Sequence, residues 1–217
     1  MIDIYKTVGE NTYEMIKKDI IFGNLKPLKK LKLNELKINY KTSISTLREI
    51  LSRLSGDGFV VYEEQKGFYV SPVSESDLKE IANLRILIES HALKYSLENS
   101  NPDWEGSLLA AHHKLNLYEN KLLKNKTEER SNWKRYDSEF HQTLVRNCNS
   151  KNLIELHKLI FDKYLRYQLL VLTFRGSGSI EEHKKLLDYS LERNFKKAQM
   201  VLEEHIQNGI IHANKSF

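Results

Sequence analysis

Asp137 and His141 stand four residues apart in a stretch, Ser131–Cys148, whose pattern is helical, so both side chains leave one face. His183 falls in the first turns of a later helix, and His205 on the helix after that. Three imidazoles and a carboxylate are a donor set for Zn²⁺, Ni²⁺ or a similar divalent ion, with positions left over for water or a ligand. Histidines on helix faces are also commonly solvated or hydrogen-bonded, and His91, His112, His113, His157 and His212 occur without evident partners. Spacing alone leaves both readings open. The same set could activate water, as in a metallohydrolase. No H-E-x-x-H is present, however, and no second carboxylate is placed as a general base, although Glu182 and Glu204 flank two of the histidines.

The elements that must position these residues are helices. From Ser74 the pattern is almost purely helical, and the capping box Ser74–Asp77 opens a helix to about Asn99. Leu78, Ile81, Leu84, Ile88 and Ala92 form its inward stripe. Asn101-Pro102-Asp103 starts a second helix, to about Lys124; a third covers Ser131–Cys148 and a fourth Lys151–Thr173. Gly176-Ser177-Gly178 reads as a loop, Ser179–Glu182 as another capping box, and two last helices divide near Asn194. The expectation is an all-α bundle of six or seven helices over residues 73–217.

The first third is organised differently. Leu47, Leu51 and Leu54 line one face of a helix that Ser43 caps and Gly56 and Gly58 stop, with Ser45, Arg48 and Ser52 on the other face. Two β-rich runs follow, Phe59–Tyr62 and Phe68–Val70, joined by a polar turn through Gln65, Lys66 and Gly67. Upstream, Thr12–Phe22 reads as a helix with Tyr13, Ile16, Ile20 and Ile21 inward. Leu31, Leu33, Leu36 and Ile38 mark a short helix around Asn34–Ile38. Three helices and a hairpin, with a boundary at Ser71-Pro72, are the layout of a winged helix-turn-helix over residues 1–72. The fold class expected is therefore mainly α, with that domain followed by the bundle.

Charge placement supports contact with double-stranded DNA. The chain of 217 residues carries a net charge of +5, which permits nucleic acid without requiring it. Six lysines against the single acid Glu35 crowd Lys26–Lys41, just ahead of the serine-rich helix, where phosphate contacts are needed. On that reading Thr42, Ser43, Ser45, Thr46 and Arg48 face the major groove, Lys30, Lys37 and Lys41 meet phosphates, and Lys66-Gly67 forms the wing tip. One such domain spans few base pairs, so a homodimer on an inverted-repeat operator is expected. The lone Cys148 excludes an internal disulfide, and neither a signal peptide nor a membrane-length apolar run is visible; the longest candidate is Leu169–Phe174. A cytoplasmic protein with no membrane contact is expected.

The motifs resemble a known family. IIFGNLKPLKKLKLNEL, then TSISTLREILSRLSGDGFV, then QKGFYV, are similar to the DNA-binding domain of the GntR family of bacterial regulators. Arg48-Glu49, Leu51, Leu54, Gly58, Val60 and Gly67 match its pattern. Leu28 stands where the family has glycine after Pro27, and Ile44 where it has a DNA-contacting arginine. Residues 75–212 resemble the FCD effector domain of the FadR branch: R-x-x-x-E at Arg85 and Glu89, D-x-x-x-H at Asp137 and His141, then His183 and His205. Within that branch the look is nearest to repressors of dicarboxylate (glutarate) catabolism. The resemblance implies a regulator rather than an enzyme. It implies that Asp137, His141, His183 and His205 hold one divalent ion, Zn²⁺ first, with Ni²⁺ or Mn²⁺ as alternatives. A small carboxylate effector sits on that ion. Arg85, Arg166 and Asn149 are the candidate effector contacts, and Tyr164 and Tyr167 candidate cavity walls. A purely structural metal is the competing reading.

Overall fold

The computed structural model describes residues 7–170 and 174–213. The chain divides into two compact units between Ser74 and Glu75. The first contains α1 (Val8–Ile21), α2 (Leu33–Tyr40), α3 (Ile44–Gly56), β1 (Val60–Glu63) and β2 (Gly67–Val70). The second contains α4 (Glu75–Glu98), α5 (Pro102–Leu123), α6 (Arg130–Val145), α7 (Lys151–Leu170), α8 (Ser177–Leu191) and α9 (Phe195–Ala213). A single 3-10 turn, Thr127–Glu129, precedes α6. The expected continuation of the fourth bundle helix to Thr173 lies outside the described residues.

In the first unit, α1 begins earlier than its apolar face suggests. Thr7 and Glu10 form a reciprocal capping box that satisfies the first free amides. α2 buries only Leu36, while Ile38 is exposed on the far side. α3 buries Leu47, Ile50, Leu51 and Leu54, and Ser43 caps it by accepting from the Thr46 amide at 3.1 Å. It runs through Gly56, and Gly58, at φ 81°, makes the turn into β1. The hairpin pairs Val60 with Val70 and Glu63 with Gly67. Residues 28–31 add a third line to it: the Leu28 amide donates to the Val70 carbonyl, and the Leu31 amide to that of Phe68.

In the bundle, α5 starts where Asn101 accepts from the Trp104 amide and Pro102 occupies the first turn. The buried Trp104 indole donates to the Thr143 carbonyl, tying α5 to α6. α8 begins at Ser177, not after the glycine loop. Only Gly176, at φ 71°, stands outside it, and the Ser179 hydroxyl donates back to the Gly176 carbonyl. The inward stripe of α4 also differs from the apolar pattern. Leu84 is 45% exposed, whereas Arg85 and Glu89 are buried beside Leu78, Ile81 and Ala92. Period 3.6 carries the stripe from 81 to 85 and 88/89, so the polar pair takes inward positions.

Leu28 carries the clearest local strain. Its φ of 63° lies in the left-handed region, and its side chain is 69% exposed, so no packing offsets the strain. The left-handed conformation costs an L-residue about 1–2 kcal/mol, and glycine loses about 0.5–1 kcal/mol in unfolded-chain entropy. Leu28→Gly is therefore expected to stabilise the first unit by about 0.5–1 kcal/mol. Hydrogen exchange at the α3 amides of the full chain, slowed roughly two- to fivefold, checks it.

Candidate metal centre and nucleic-acid interface

Three helices bring the four donor residues together. α6 presents Asp137 and His141, α8 presents His183, and α9 presents His205; all are buried, and one ligand atom from each lies within 4.8 Å of the other three. The His183 and His205 rings are 4.6 Å apart by centroid, and His141 lies 5.3 Å from His205. Bonds of about 2.1 Å to a shared centre allow ligand separations up to roughly 4.2 Å.

The orientation of each ring is set by a carboxylate behind it. His141 Nδ1 meets Glu89 Oε1 at 2.5 Å, His183 Nδ1 meets Glu119 Oε1 at 2.7 Å, and His205 Nδ1 meets Glu182 Oε2 at 2.8 Å. In the neutral ring a carboxylate on Nδ1 fixes the proton there, so that Nε2 is the nitrogen left to meet a cation. Nε2 of His141, Nε2 of His183 and Oδ2 of Asp137 are buried with no hydrogen-bond partner. Buried polar atoms are ordinarily paired. Two orphaned ring nitrogens, each with a carboxylate behind its ring, and an unpaired Asp137 oxygen are a donor set that fits a divalent cation. Glu119 and the supporting roles of Glu89 and Glu182 were not legible in sequence, because each lies on a different helix from the ring it holds.

Electrostatics separates the three imidazoles. Burial works to lower the His183 pKa, but Glu119 and Asp137 outweigh it and raise it to about 9. Burial and the neighbouring His183 hold His205 well below the ordinary range, and burial lowers His141. Asp137 is held well below the carboxylate range, where Lys134 and the imidazoles overcome burial.

The expected effector contacts divide. Arg85 is fully buried; its Nε donates to Glu89 at 2.8 Å while both terminal nitrogens lack partners. Its guanidinium lies 4.4 Å from the Phe161 ring and 4.7 Å from that of Tyr164. Arg85 is thus both the partner of Glu89 and a source of unused donors. Arg166 is buried, with Asp77 and the phenol of Tyr167 as its ionisable neighbours. Asn149 is exposed at φ 57° in the turn between α6 and α7, a conformation asparagine tolerates. Beside the donor cluster is a cavity of about 20 Å³ lined by Trp133, Lys134, Tyr164, Gln168, Arg175 and Ser179, with Asp137, His183, His205 and Gly209. Gly209 is needed there: a Cβ at this position would overlap the Tyr164 hydroxyl. Tyr164 is thereby placed on the cavity wall, whereas Tyr167 bonds to Asp77 instead.

In the first unit, an open groove of about 930 Å³ runs between the start of α2, the outer face of α3 and the hairpin. It gathers Lys30, Arg48, Lys66 and Gly67, together with Lys32 and Ser52, which stand on the same face. Thr42, Ser43, Ser45 and Thr46 cluster at the start of α3, where the Ser43 hydroxyl bonds to both Ser45 and Thr46. Lys37 and Lys41 are exposed outside the groove, and Lys41 makes the left-handed turn between α2 and α3. Lys66 is paired with Glu63 across the wing turn, at 3.2 Å.

A winged helix-turn-helix joined to a helical bundle with a buried His₃Asp cluster defines a DNA-binding regulator with a sensory domain. The family is shown directly: residues 8–70 match the bacterial regulatory proteins of the gntR family, and residues 80–208 match the FCD domain. The chain belongs to the GntR family of transcriptional regulators, with an FCD domain. Two curated relatives are each 29% identical. BphR of Paraburkholderia xenovorans (strain LB400), an HTH-type transcriptional regulator, aligns over 94% of this chain and 84% of its own. GlaR of Escherichia coli (strain K12), an HTH-type transcriptional repressor, aligns over 89% and 90%. The solved structure of E. coli McbR/YncC shares the fold, with a TM-score of 0.82 at 20% identity over 97% of this chain and 98% of that one. These relatives are regulators, not enzymes. No helix among the described residues is long and apolar enough to cross a membrane.

Since His183 keeps its proton up to about pH 9, a cation must displace it. At pH 7.5, uptake should release about one proton per site. Metal affinity should climb roughly tenfold per pH unit until about pH 9. Calorimetry of Zn²⁺ binding in buffers of different ionisation enthalpy counts that proton. In chelator-treated protein the raised pKa has a second consequence. The stability contributed by His183 is fully present below the ordinary imidazole range and is lost as pH rises through about 9. Glu119→Gln should move both effects to lower pH.

Proposed function

We propose that the chain is a repressor whose operator affinity is set by a small carboxylate bound at a divalent ion, Zn²⁺ first, held by Asp137, His141, His183 and His205. The observation that carries this reading is the buried cluster of four donor residues, with unpaired atoms on Asp137, His141 and His183 and a carboxylate behind each imidazole. A bound ion supplies a fixed positive charge for a carboxylate oxygen. The residues do the rest. Glu89, Glu119 and Glu182 hold the rings, Trp133 and Tyr164 exclude water from the cavity, and Lys134 and Arg175 make its wall positive. Arg85 stands behind Tyr164 as a further cation.

The cavity also explains how binding can be felt elsewhere. About 20 Å³ admits roughly one water-sized group. A carboxylate ligand therefore enters only by displacing the lining side chains of α6, α7 and α9. Ligand affinity then differs between two arrangements of the bundle, which is the condition for coupling to a second site. As a homodimer, the protein would place two α3 helices on an inverted repeat, and a change in their spacing would alter operator affinity.

The test is operator binding, on DNA selected from a random library, by metal-loaded and chelator-treated protein with C2–C6 carboxylates. A carboxylate should shift affinity about five- to 150-fold in loaded protein alone. An equal shift in both forms would leave the ion purely structural. For the DNA contacts, Arg48→Ala should relax base preference by about 1–3 kcal/mol at one position. Lys30→Ala should instead weaken all sequences alike and reduce the salt slope by about one unit. Binding assays across salt concentrations separate the two.

A further inference from the structure

Lys134 has so far entered only as a positive charge on the cavity wall. It lies on α6 one turn before Asp137 and is 2% exposed. Its Nζ sits 3.7 Å from the centroid of the Trp133 ring and 3.9 Å from Asp137 Oδ2, which is beyond hydrogen-bond distance. Among the described residues, no group accepts a hydrogen bond from this ammonium; it rests on the face of the Trp133 ring and at ion-pair distance from Asp137. The Trp133 indole N–H is likewise buried without an acceptor, and both residues line the small cavity beside the donor cluster. A buried ammonium usually carries two or three hydrogen bonds, because its desolvation is otherwise uncompensated.

Of the other cations nearby, Arg175 is committed, whereas Arg85 keeps both terminal nitrogens unpartnered but does not line the cavity. Arg175 grips Glu182 through both terminal nitrogens and also donates to the His205 carbonyl. Arg85 is bound to Glu89. Counting charges, Asp137, Glu89, Glu119 and Glu182 face Arg85, Arg175 and Lys134. With a dication in the cluster, this buried group is left with one positive charge in excess. Lys134 is the cation with no carboxylate in hydrogen-bonding contact, so the excess is concentrated at its ammonium.

We propose that Lys134 Nζ, assisted by Trp133 Nε1, is the second anchor for a monoanionic carboxylate head whose first oxygen lies at the Asp137–His141–His183–His205 cluster. The head is compact, because Lys134 and Asp137 are neighbours: one carboxylate, or a carboxylate and its α-oxygen, spans both. This rests on the reading of the cluster as a carboxylate-binding metal site, and it names the residues that select charge there. An ammonium and an unpaired indole N–H on residues lining the same cavity discriminate against a neutral isostere, which leaves the excess charge unbalanced. They also distinguish this site from a metal centre that takes any small Lewis base.

The test uses full-length protein loaded with Co²⁺, whose visible spectrum reports both the coordination of the ion and the arrival of a ligand. Acetate is the probe and acetamide its neutral counterpart. Wild-type protein should respond to acetate and not to acetamide. Lys134→Met should bind Co²⁺ with an unchanged ligand-free spectrum but weaken acetate roughly ten- to hundredfold, the range of a lost charge-assisted hydrogen bond. Lys134→Arg should recover most of that loss, and Trp133→Phe should show a smaller one. Far-ultraviolet circular dichroism and the Co²⁺ spectrum establish that each variant is folded. Acetate affinity in Lys134→Met within about twofold of wild type, where a lost contact of this kind costs far more, would overturn the proposal and leave the metal-site reading standing. No acetate response in wild-type protein would overturn both.

Discussion

Three carboxylate–imidazole pairs, two of them fully buried, hold the bundle in register. Glu89 on α4 holds His141 on α6, Glu119 on α5 holds His183 on α8, and Glu182 on α8 holds His205 on α9. Each pair is also a helix–helix contact, so the helices can settle only where all three carboxylates find their rings. Leaving a buried charge without its partner costs about 3–5 kcal/mol, more than most apolar contacts contribute. The remaining helix, α7, enters the same network through His157, whose Nε2 lies 3.4 Å from Glu89, and through Phe161 and Tyr164 against Arg85. Geometry at the cluster and packing of the bundle are therefore one constraint.

The consequence is a site that is rigid behind the rings and under-satisfied in front of them. Every Nδ1 is bonded, whereas two Nε2 atoms, one Asp137 oxygen and the Trp133 indole have no partner. In an apolar core such unpaired atoms would be defects; gathered around one small cavity they have a common direction. Phe140 packs edge-on against both His141 and His183 and keeps the cluster dry from the α5 side. In that environment the field of a cation or a bound anion is weakly screened, so modest changes at the cavity act on several helices together.

The DNA-binding unit follows a different logic. Its core is carried by aliphatic residues of α1 and α3, with Tyr13 bonded to Asp57 and Tyr40 to Asp19 between elements and the start of α3 capped locally. The Ser43 hydroxyl caps α3 and at the same time organises Ser45 and Thr46 on the outward face. That dual use leaves Arg48 and the neighbouring lysines exposed along an open groove. Leu28 shows the unit tolerating a residue that its backbone conformation disfavours, because the Leu28 amide and the Val70 amide both join the short sheet.

Much of this was legible in sequence. Leu47, Leu51 and Leu54 fix the buried face of α3 because helical spacing and burial have the same period, and Asn101-Pro102 marks the start of α5 because capping is a local event. Asp137 and His141, one turn apart, share a face for the same local reason. Other features depended on tertiary structure. Apolar patterning placed Leu84 inward, but the bundle buries Arg85 and Glu89 there, since a partner for that polar pair exists only once α6 and α7 are in place. α8 begins at Ser177 because Gly176 alone makes the turn, although the sequence offered two glycines. Glu119, Lys134 and Gly209 have no distinguishing local spacing. What they do depends on a ring, an indole and a tyrosine hydroxyl contributed by other turns and helices, and distances between helices are not written in periodicity. The sequence by itself determined which residue types could form the site. Packing decided which nitrogen each histidine presents and which cation is left without a partner.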